Sequence, residues 1–369
     1  MRIACLVGTR PEAIKMAPVI HELRRRKGFT VSVVSSAQHR DLLGPLLDFF
    51  GIAPDRDLDA MTGDQGLAAL TSRLIERISS VLAADRPNLV VAQGDTTTVM
   101  ASAVACFYAR IPFAHVEAGL RTGNLQHPFP EEFNRVVADR IAAFNFAPTE
   151  TARANLLREG IAPETISVTG NTVIDALEWT VARGPEFGVA IEPGQRLLLV
   201  TLHRRESFGA PLARAFAAIR QLAAANPDLV VLYPVHPNPN VAEPASRLLD
   251  GHARIRLVAP LDYPQMVAAM RRAHLILTDS GGIQEEAAAL GVPVLVAREA
   301  TERVEAIELG LARLVGTETE RVVAEAQNLL DCPDAHRTMA RGGFPFGDGQ
   351  ASRRIADIIE AGMGADGAS

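Results

Sequence analysis

Residues 278–286 read TDSGGIQEE and follow the apolar run Leu275-Ile276-Leu277. The run has the character of a buried parallel strand, and Ile283–Leu290 is compatible with a helix. A strand that turns through Ser280, Gly281 and Gly282 into a helix aims unpaired backbone N–H groups, and the positive end of a helix dipole, at one spot. Glycine lets an anion come close to the backbone. A carboxylate one turn further on, such as Glu286, can accept hydrogen bonds from sugar hydroxyls. This chemistry seats a phosphorylated sugar or a nucleotide, and its competitor is an ordinary strand-to-helix turn.

Other apolar runs end in similarly reactive residues. Ile3–Val7 leads into Gly8-Thr9-Arg10-Pro11-Glu12, with Lys15 just beyond. Cations near a helix start are disfavoured by the dipole, so Arg10 and Lys15 point to an anionic partner. A second run ends at Asp95, which can cap the next helix or act as an acid. A third ends in His115-Val116-Glu117; strand alternation puts His115 and Glu117 on one face, but no third ligand follows, and no metal site is expected. Glu131 and Glu132 open a helical stretch, where at least one complements the dipole. His203 stands at a further strand end, poised near neutral pH; His236 is similar but lies in a loop rich in Pro and Asn.

The candidate constellation is therefore three acids (Asp95, Glu117, Glu131), His203, the Arg10/Lys15 pair and the helix start at Ser280. No GxxxxGK[ST] or Ser-His-Asp order is present, the one GxGxxG spacing (Gly362, Gly364, Gly367) does not follow a strand, and no cofactor is expected.

Strand-like and helical segments alternate over almost the whole chain, from Ile3–Val7 to the helical stretch near the end. Strict alternation of this kind makes parallel sheets covered by helices on both faces. At 369 residues the chain has room to do so twice. The expected fold is α/β, with two Rossmann-like, doubly wound domains facing a cleft, and with ligands at the carboxyl ends of the strands. Turn residues in 169–193 place the boundary so that residues 1–170 form the first domain and 171–349 the second. The final helix, 350–364, is expected to pack back on the first.

The net charge of −6 argues against a nucleic-acid binder. No apolar run is long enough for a bilayer. Met1–Val7 enters a strand directly, without the pattern of a signal peptide, and Cys5, Cys106 and Cys332 show no metal or disulfide spacing. A cytoplasmic protein is expected. Only Lys15 and Lys27 among the 37 basic residues are lysine, which singles out Lys15.

With these residues in place, the chain resembles the non-hydrolysing UDP-N-acetylglucosamine 2-epimerases. The matching strings are GTRPEAIKMAP (8–18), QHR (38–40), QGDTTT (93–98), HVEAGLRTG (115–123), PEE (130–132), TGNTVID (169–175), HRRE (203–206), YPVH (233–236), TDSGGIQEE (278–286), TER (301–303) and FGDGQAS (346–352). Each is weak alone, and the ordered set is specific. The family pattern is broken at Ala300, Val304, Phe344 and Phe346. Leu261 and Met266 stand where uracil contacts are often made.

The resemblance implies a GT-B-type fold, a homodimer and interconversion of UDP-GlcNAc and UDP-ManNAc, within synthesis of bacterial surface polysaccharide precursors. It implies a catalytic set of Asp95, Glu117, Glu131 and His203. UDP is then held by Arg10, Lys15, Ser280, Gly281, Gly282, Glu286 and Arg303. A second, regulatory UDP-GlcNAc would involve Gln38, His39, Arg40 and Glu132. The rivals are a hydrolysing relative that releases ManNAc, a GT-B glycosyltransferase, and a sugar-nucleotide sensor without activity.

Overall fold

The computed structural model describes residues 1–36, 40–60 and 66–365. The chain divides into two compact units: Met1–Trp179 together with the chain from Phe346 onward, and Thr180–Pro345.

The first unit contains β1 (Arg2–Val7), α1 (Arg10–Arg25), β2 (Thr30–Ser35), α2 (Arg40–Phe49), β3 (Arg56–Asp57), α3 (Leu67–Asp85), β4 (Leu89–Gln93) and α4 (Thr97–Ala109). It continues with β5 (Phe113–Val116), α5 (Glu131–Ile141), β6 (Phe144–Ala147), α6 (Glu150–Arg158), β7 (Ile166–Val168) and α7 (Thr172–Val181). Its sheet has the order β3-β2-β1-β4-β5-β6-β7, with all neighbours parallel. The central strands are apolar on both faces because helices cover both, so Leu89–Gln93 is buried throughout. The order reverses between β1 and β4, and that switch point opens a crevice at the carboxyl ends of the two strands.

The second unit holds β8 (Arg196–Thr201), α8 (Ala210–Ala225), β9 (Leu229–Pro234), α9 (Pro239–Leu249), β10 (Ile255–Val258), α10 (Tyr263–Arg272), β11 (Leu275–Thr278) and α11 (Gly281–Leu290). Then come β12 (Val294–Val296), α12 (Val304–Glu308), β13 (Ala312–Leu314), α13 (Thr319–Asp331) and α14 (Pro333–Met339). Its parallel sheet runs β10-β9-β8-β11-β12-β13, reversing between β8 and β11. Phe216, Tyr233 and the leucines of α8 and β8 centre its core.

The last helix, α15 (Ala351–Ala365), belongs to the first unit and lies against α1, where Arg26 reaches Asp357 at 2.7 Å and Glu360 at 2.9 Å. Asp175 of α7 caps its start: the carboxylate accepts from the N–H groups of Ser352 (2.7 Å) and Ala351 (3.2 Å) and from the Ser352 hydroxyl. Trp179 packs on Phe50 and Phe49, with ring centroids 4.8 and 5.2 Å apart. These contacts keep α7 with the first unit as far as Trp179; the boundary suggested by turn residues, at Gly170, lies just before this helix.

Candidate active site

In the first unit the switch point gathers the turn after β1, the turn after β4 and the end of β5. α1 starts at Arg10, and Glu12 reaches back to accept from the N–H groups of Gly8 (2.6 Å) and Thr9 (3.0 Å) and from the Thr96 hydroxyl. Glu12 is 2% exposed. Burial pushes its carboxyl up to about 7, with the Asp95 charge adding to the rise and the three donors opposing it. Gly8 is required by close approach: a Cβ there would stand 2.3 Å from Ser36 Oγ and 2.9 Å from Thr98 Oγ1. Arg10 is half-buried at the first turn of α1, and its guanidinium has no partner among the described residues.

The three acids differ in their surroundings. Glu117 is buried, and its carboxylate takes the Lys15 ammonium at 2.6 and 2.7 Å, the Asn171 amide at 3.2 Å and the Gln93 amide. Its φ of +67° is unusual for a residue with a side chain and marks local strain. β5 ends at Val116, so strand alternation does not carry through to Glu117; it and His115 turn to separate partners, which corrects the expectation that they share a face. Asp95 is 36% exposed at its side chain and paired with Arg135 at 2.8 Å. Asn134 donates to the Asp95 carbonyl at 2.9 Å. Glu131 opens α5, half-buried, and its carboxylate has no partner among the described residues.

In the second unit the reversal between β8 and β11 places His203 beside the Ser280 turn. Asp279, fully buried, accepts from the N–H groups of His203 and Arg204 at 2.8 Å each and turns its other oxygen to His203 Nδ1 at 3.5 Å. His203 stacks on His236, with ring centroids 5.5 Å apart. Burial, with help from Arg204 and His236, lowers the His203 pKa below its usual value against the pull of Asp279. Ser280 is the N-cap of α11 and its own N–H donates to Thr278 Oγ1 at 2.9 Å, while no side chain among the described residues caps the helix. The N–H groups of Gly281 and Gly282 lie in the first turn and are the ones left for an anion. Arg303 lies over Gly281, where a Cβ would come within 3.0 Å of its guanidinium carbon; it is held by Glu285 at 2.7 Å and Glu302 at 2.8 Å. Glu286 accepts from the Tyr263 hydroxyl at 2.8 Å.

Arg10, Lys15 and Asp95 thus lie about the β1–β4 reversal, with Glu117 joined to them through Lys15 and Gln93, and His203 and Ser280 lie about the β8–β11 reversal. Lys15, expected on a diphosphate, is bound to Glu117. Glu132, expected at a second nucleotide position, is buried and accepts from the N–H groups of Thr122 and Gly123 at 2.9–3.1 Å. Gln38 and His39 lie outside the described residues, and Arg40 is the first residue of α2. No group of three metal-ligating side chains occurs among the described residues. Sequence reasoning missed Asp279, Glu12, Arg135 and Tyr263. The first three lie inside or beside motifs already singled out, while Tyr263 carried no signal. Burial holds the Cys5 and Cys106 thiols up at about 12, which removes them as nucleophiles.

A family model described as UDP-N-acetylglucosamine 2-epimerase matches residues 21–360. The UDP-N-acetylglucosamine 2-epimerase of Salmonella typhimurium is 48% identical over 371 residues, covering 98% of this chain and 99% of that protein. The crystal structure of UDP-GlcNAc 2-epimerase from Neisseria meningitidis bound to UDP-GlcNAc superposes with a TM-score of 0.93 at 40% identity, covering 98% of this chain and all (100%) of the other. A Staphylococcus aureus co-structure with UDP gives a TM-score of 0.92 at 40% identity, covering 98% and 97%.

Proposed function

The chain belongs to the UDP-N-acetylglucosamine 2-epimerase family, and we propose that it interconverts UDP-GlcNAc and UDP-ManNAc without net hydrolysis. Carbon 2 of the sugar has no neighbouring carbonyl to acidify its hydrogen. The proposed route breaks the C1–O bond as a carboxylate removes the C2 proton. The C2–H electron pair becomes the C1=C2 bond of 2-acetamidoglucal, and the C1–O pair leaves on the diphosphate of UDP. UDP then re-adds to C1 while a proton is delivered to the opposite face of C2, so the sum is an isomerisation.

The residue environments support a division of labour. Glu117 has its carboxylate committed to Lys15, Gln93 and Asn171, which suits a group that orients the sugar. Asp95 and Glu131 remain to carry protons on the two faces. Arg10, His203, Ser280, Gly281 and Gly282 offset the charge that grows on the leaving diphosphate. Glu286 takes ribose hydroxyls, and Arg303 backs the glycine turn. Lys15 acts through Glu117. The observation that carries the reading is the contrast between one buried, saturated carboxylate and two that solvent still reaches.

The same reading includes a homodimer: Phe107 and Tyr108, 65% and 71% exposed at the end of α4, offer an apolar contact to a second copy, testable by sedimentation. It assigns the product to reactions that consume ManNAc units for surface polysaccharides in the cytoplasm. No helix of the described residues is long and apolar enough to cross a membrane.

Incubation of UDP-GlcNAc with the protein in heavy water tests the route. Deuterium at C2 in both epimers, read by nuclear magnetic resonance, is expected. Retained protium overturns elimination, and free ManNAc as the end product turns the reading to the hydrolysing relative.

A further inference from the structure

We propose that His115, as an imidazolium, is the positioning residue that locks the three acids of the first unit into one arrangement; this rests on the functional reading above. His115 lies on β5 and is fully buried. Its Nδ1 is 2.5 Å from Asp139 Oδ1, and its Nε2 is 2.7 Å from the carbonyl oxygen of Gly94. A carboxylate and a carbonyl can only accept. Both ring nitrogens must therefore donate, and only the doubly protonated ring does so.

The three bodies joined are the three that carry the acids. Gly94 precedes Asp95 in the turn after β4. Asp139 lies on α5, the helix that Glu131 opens. His115 itself is two residues before Glu117, at the end of the strand. Asp139 extends the lock by accepting from Arg121 at 2.7 Å and from the N–H of Gly119 at 3.2 Å, and Arg121 is in turn paired with Glu159 at 2.7 Å.

The groups that set the ring's charge can be named from each side. α5 presents Asp139, the segment after β5 presents Arg121, and Glu159, just past the end of α6, holds Arg121. β4 and β6 present Ala92 and Asn145 at its register, and the Phe113 ring lies alongside at 6.1 Å between centroids. Burial would press the His115 pKa down; Asp139 and the Gly94 carbonyl overcome it and leave the pKa above its usual value. Asp139 is held below the ordinary carboxylate range, its burial outweighed by His115 and Arg121.

The geometry also fixes which bond fails first. Asp139 keeps the proton on Nδ1, so a base removes the one on Nε2 and releases the Gly94 carbonyl. The turn that carries Asp95 then loses one of its backbone anchors, keeping the Asn134 amide on the Asp95 carbonyl and the Gly94 N–H on the Val116 carbonyl.

The experiment uses the full-length protein and its Asp139→Asn variant. kcat and KM for UDP-GlcNAc are measured across the alkaline range, with UDP affinity by calorimetry. In the wild type, kcat falls on the alkaline side. The substitution removes the charge that lifts the imidazole, so that fall moves to lower pH by about one unit or more. KM and UDP affinity stay within about threefold of wild type. A structural role alone would lower the amount of active protein without moving the profile.

The ¹⁵N spectrum of the wild-type imidazoles, with His115 assigned through its contacts with Phe113, needs neither substrate nor variant. Two protonated nitrogens at about pH 7.5 are expected. A neutral ring there, an unmoved alkaline limb in the variant, or equal losses of kcat and UDP affinity would each overturn the proposal. Absence of epimerisation by the wild type would instead refute the functional reading, and the imidazole spectrum would still decide the lock.

Discussion

Glu12 shows how a residue outside the reaction can still set its conditions. Its ordinary pKa of 4.5 rises to about 7 in the folded chain, so between those values the folded state binds more protons than the unfolded one. Stability from this group is full below the lower value and falls as pH climbs through the window. His115, also raised, is stabilising below its unfolded pKa and loses that contribution at higher pH, while Asp139, lowered, loses its contribution only on the acid side. Replacing Glu12 by Gln keeps an oxygen for the Gly8 and Thr9 N–H groups and offers Thr96 a donor, much as the protonated acid does. Thermal midpoints of Glu12→Gln are expected to decline less than those of the wild type between about pH 5 and 7, the rest of the slope coming from other shifted groups such as His115. Asp95→Asn is expected to lower kcat by about a hundredfold or more while calorimetry finds UDP affinity unchanged, because the proposed UDP groups Ser280, Gly281, Gly282, Glu286 and Arg303 are untouched. At this scale the sequence exposed residues by type and strand-end position. It hid the pairings, since nothing in HVEAG says that Lys15 ends on Glu117 or that a buried Asp lies two turns into α5.

At the scale of elements, strands announced by apolar runs, such as Ile3–Val7 for β1 and Leu275–Leu277 for β11, were legible to within a residue or two. β3 was missed because it is an exposed Arg56-Asp57 pair at the sheet edge, and β7 because it is short and only partly buried. α2 runs through Gly44 and Pro45, and no helical pattern was read there. The N-terminus of α11 was legible because the Gly281-Gly282 pair that opens it is visible in the sequence. Gly281 has an ordinary helical backbone, so Gly281→Ala should leave the thermal midpoint unchanged or slightly raised. Its Cβ would nevertheless press on the Arg303 guanidinium and cover the first free N–H. A fall in UDP affinity of about tenfold is expected by calorimetry.

For the whole molecule, the sequence indicated two α/β units through alternation and pointed to the return of the last helix to the first, but it did not show what holds that helix there. That depends on contacts between distant parts of the chain, such as Asp175 with the start of α15. Asp175→Ala is expected to destabilise the first unit by about 1–2 kcal/mol through loss of the cap. Trp179 is the sole tryptophan and belongs to that unit, so its fluorescence reports the change, and the second unit's transition should not move.

The return of α15 to the first unit sets an order of assembly during synthesis. Thr180–Pro345 is one unbroken stretch and is complete as soon as it clears the ribosome. The half made earlier must wait for Ala351–Ala365, with the side of α1 that this helix covers exposed in the meantime. Stalled nascent chains ending at Pro345 should therefore resist protease in their later half while remaining cleavable in their earlier one.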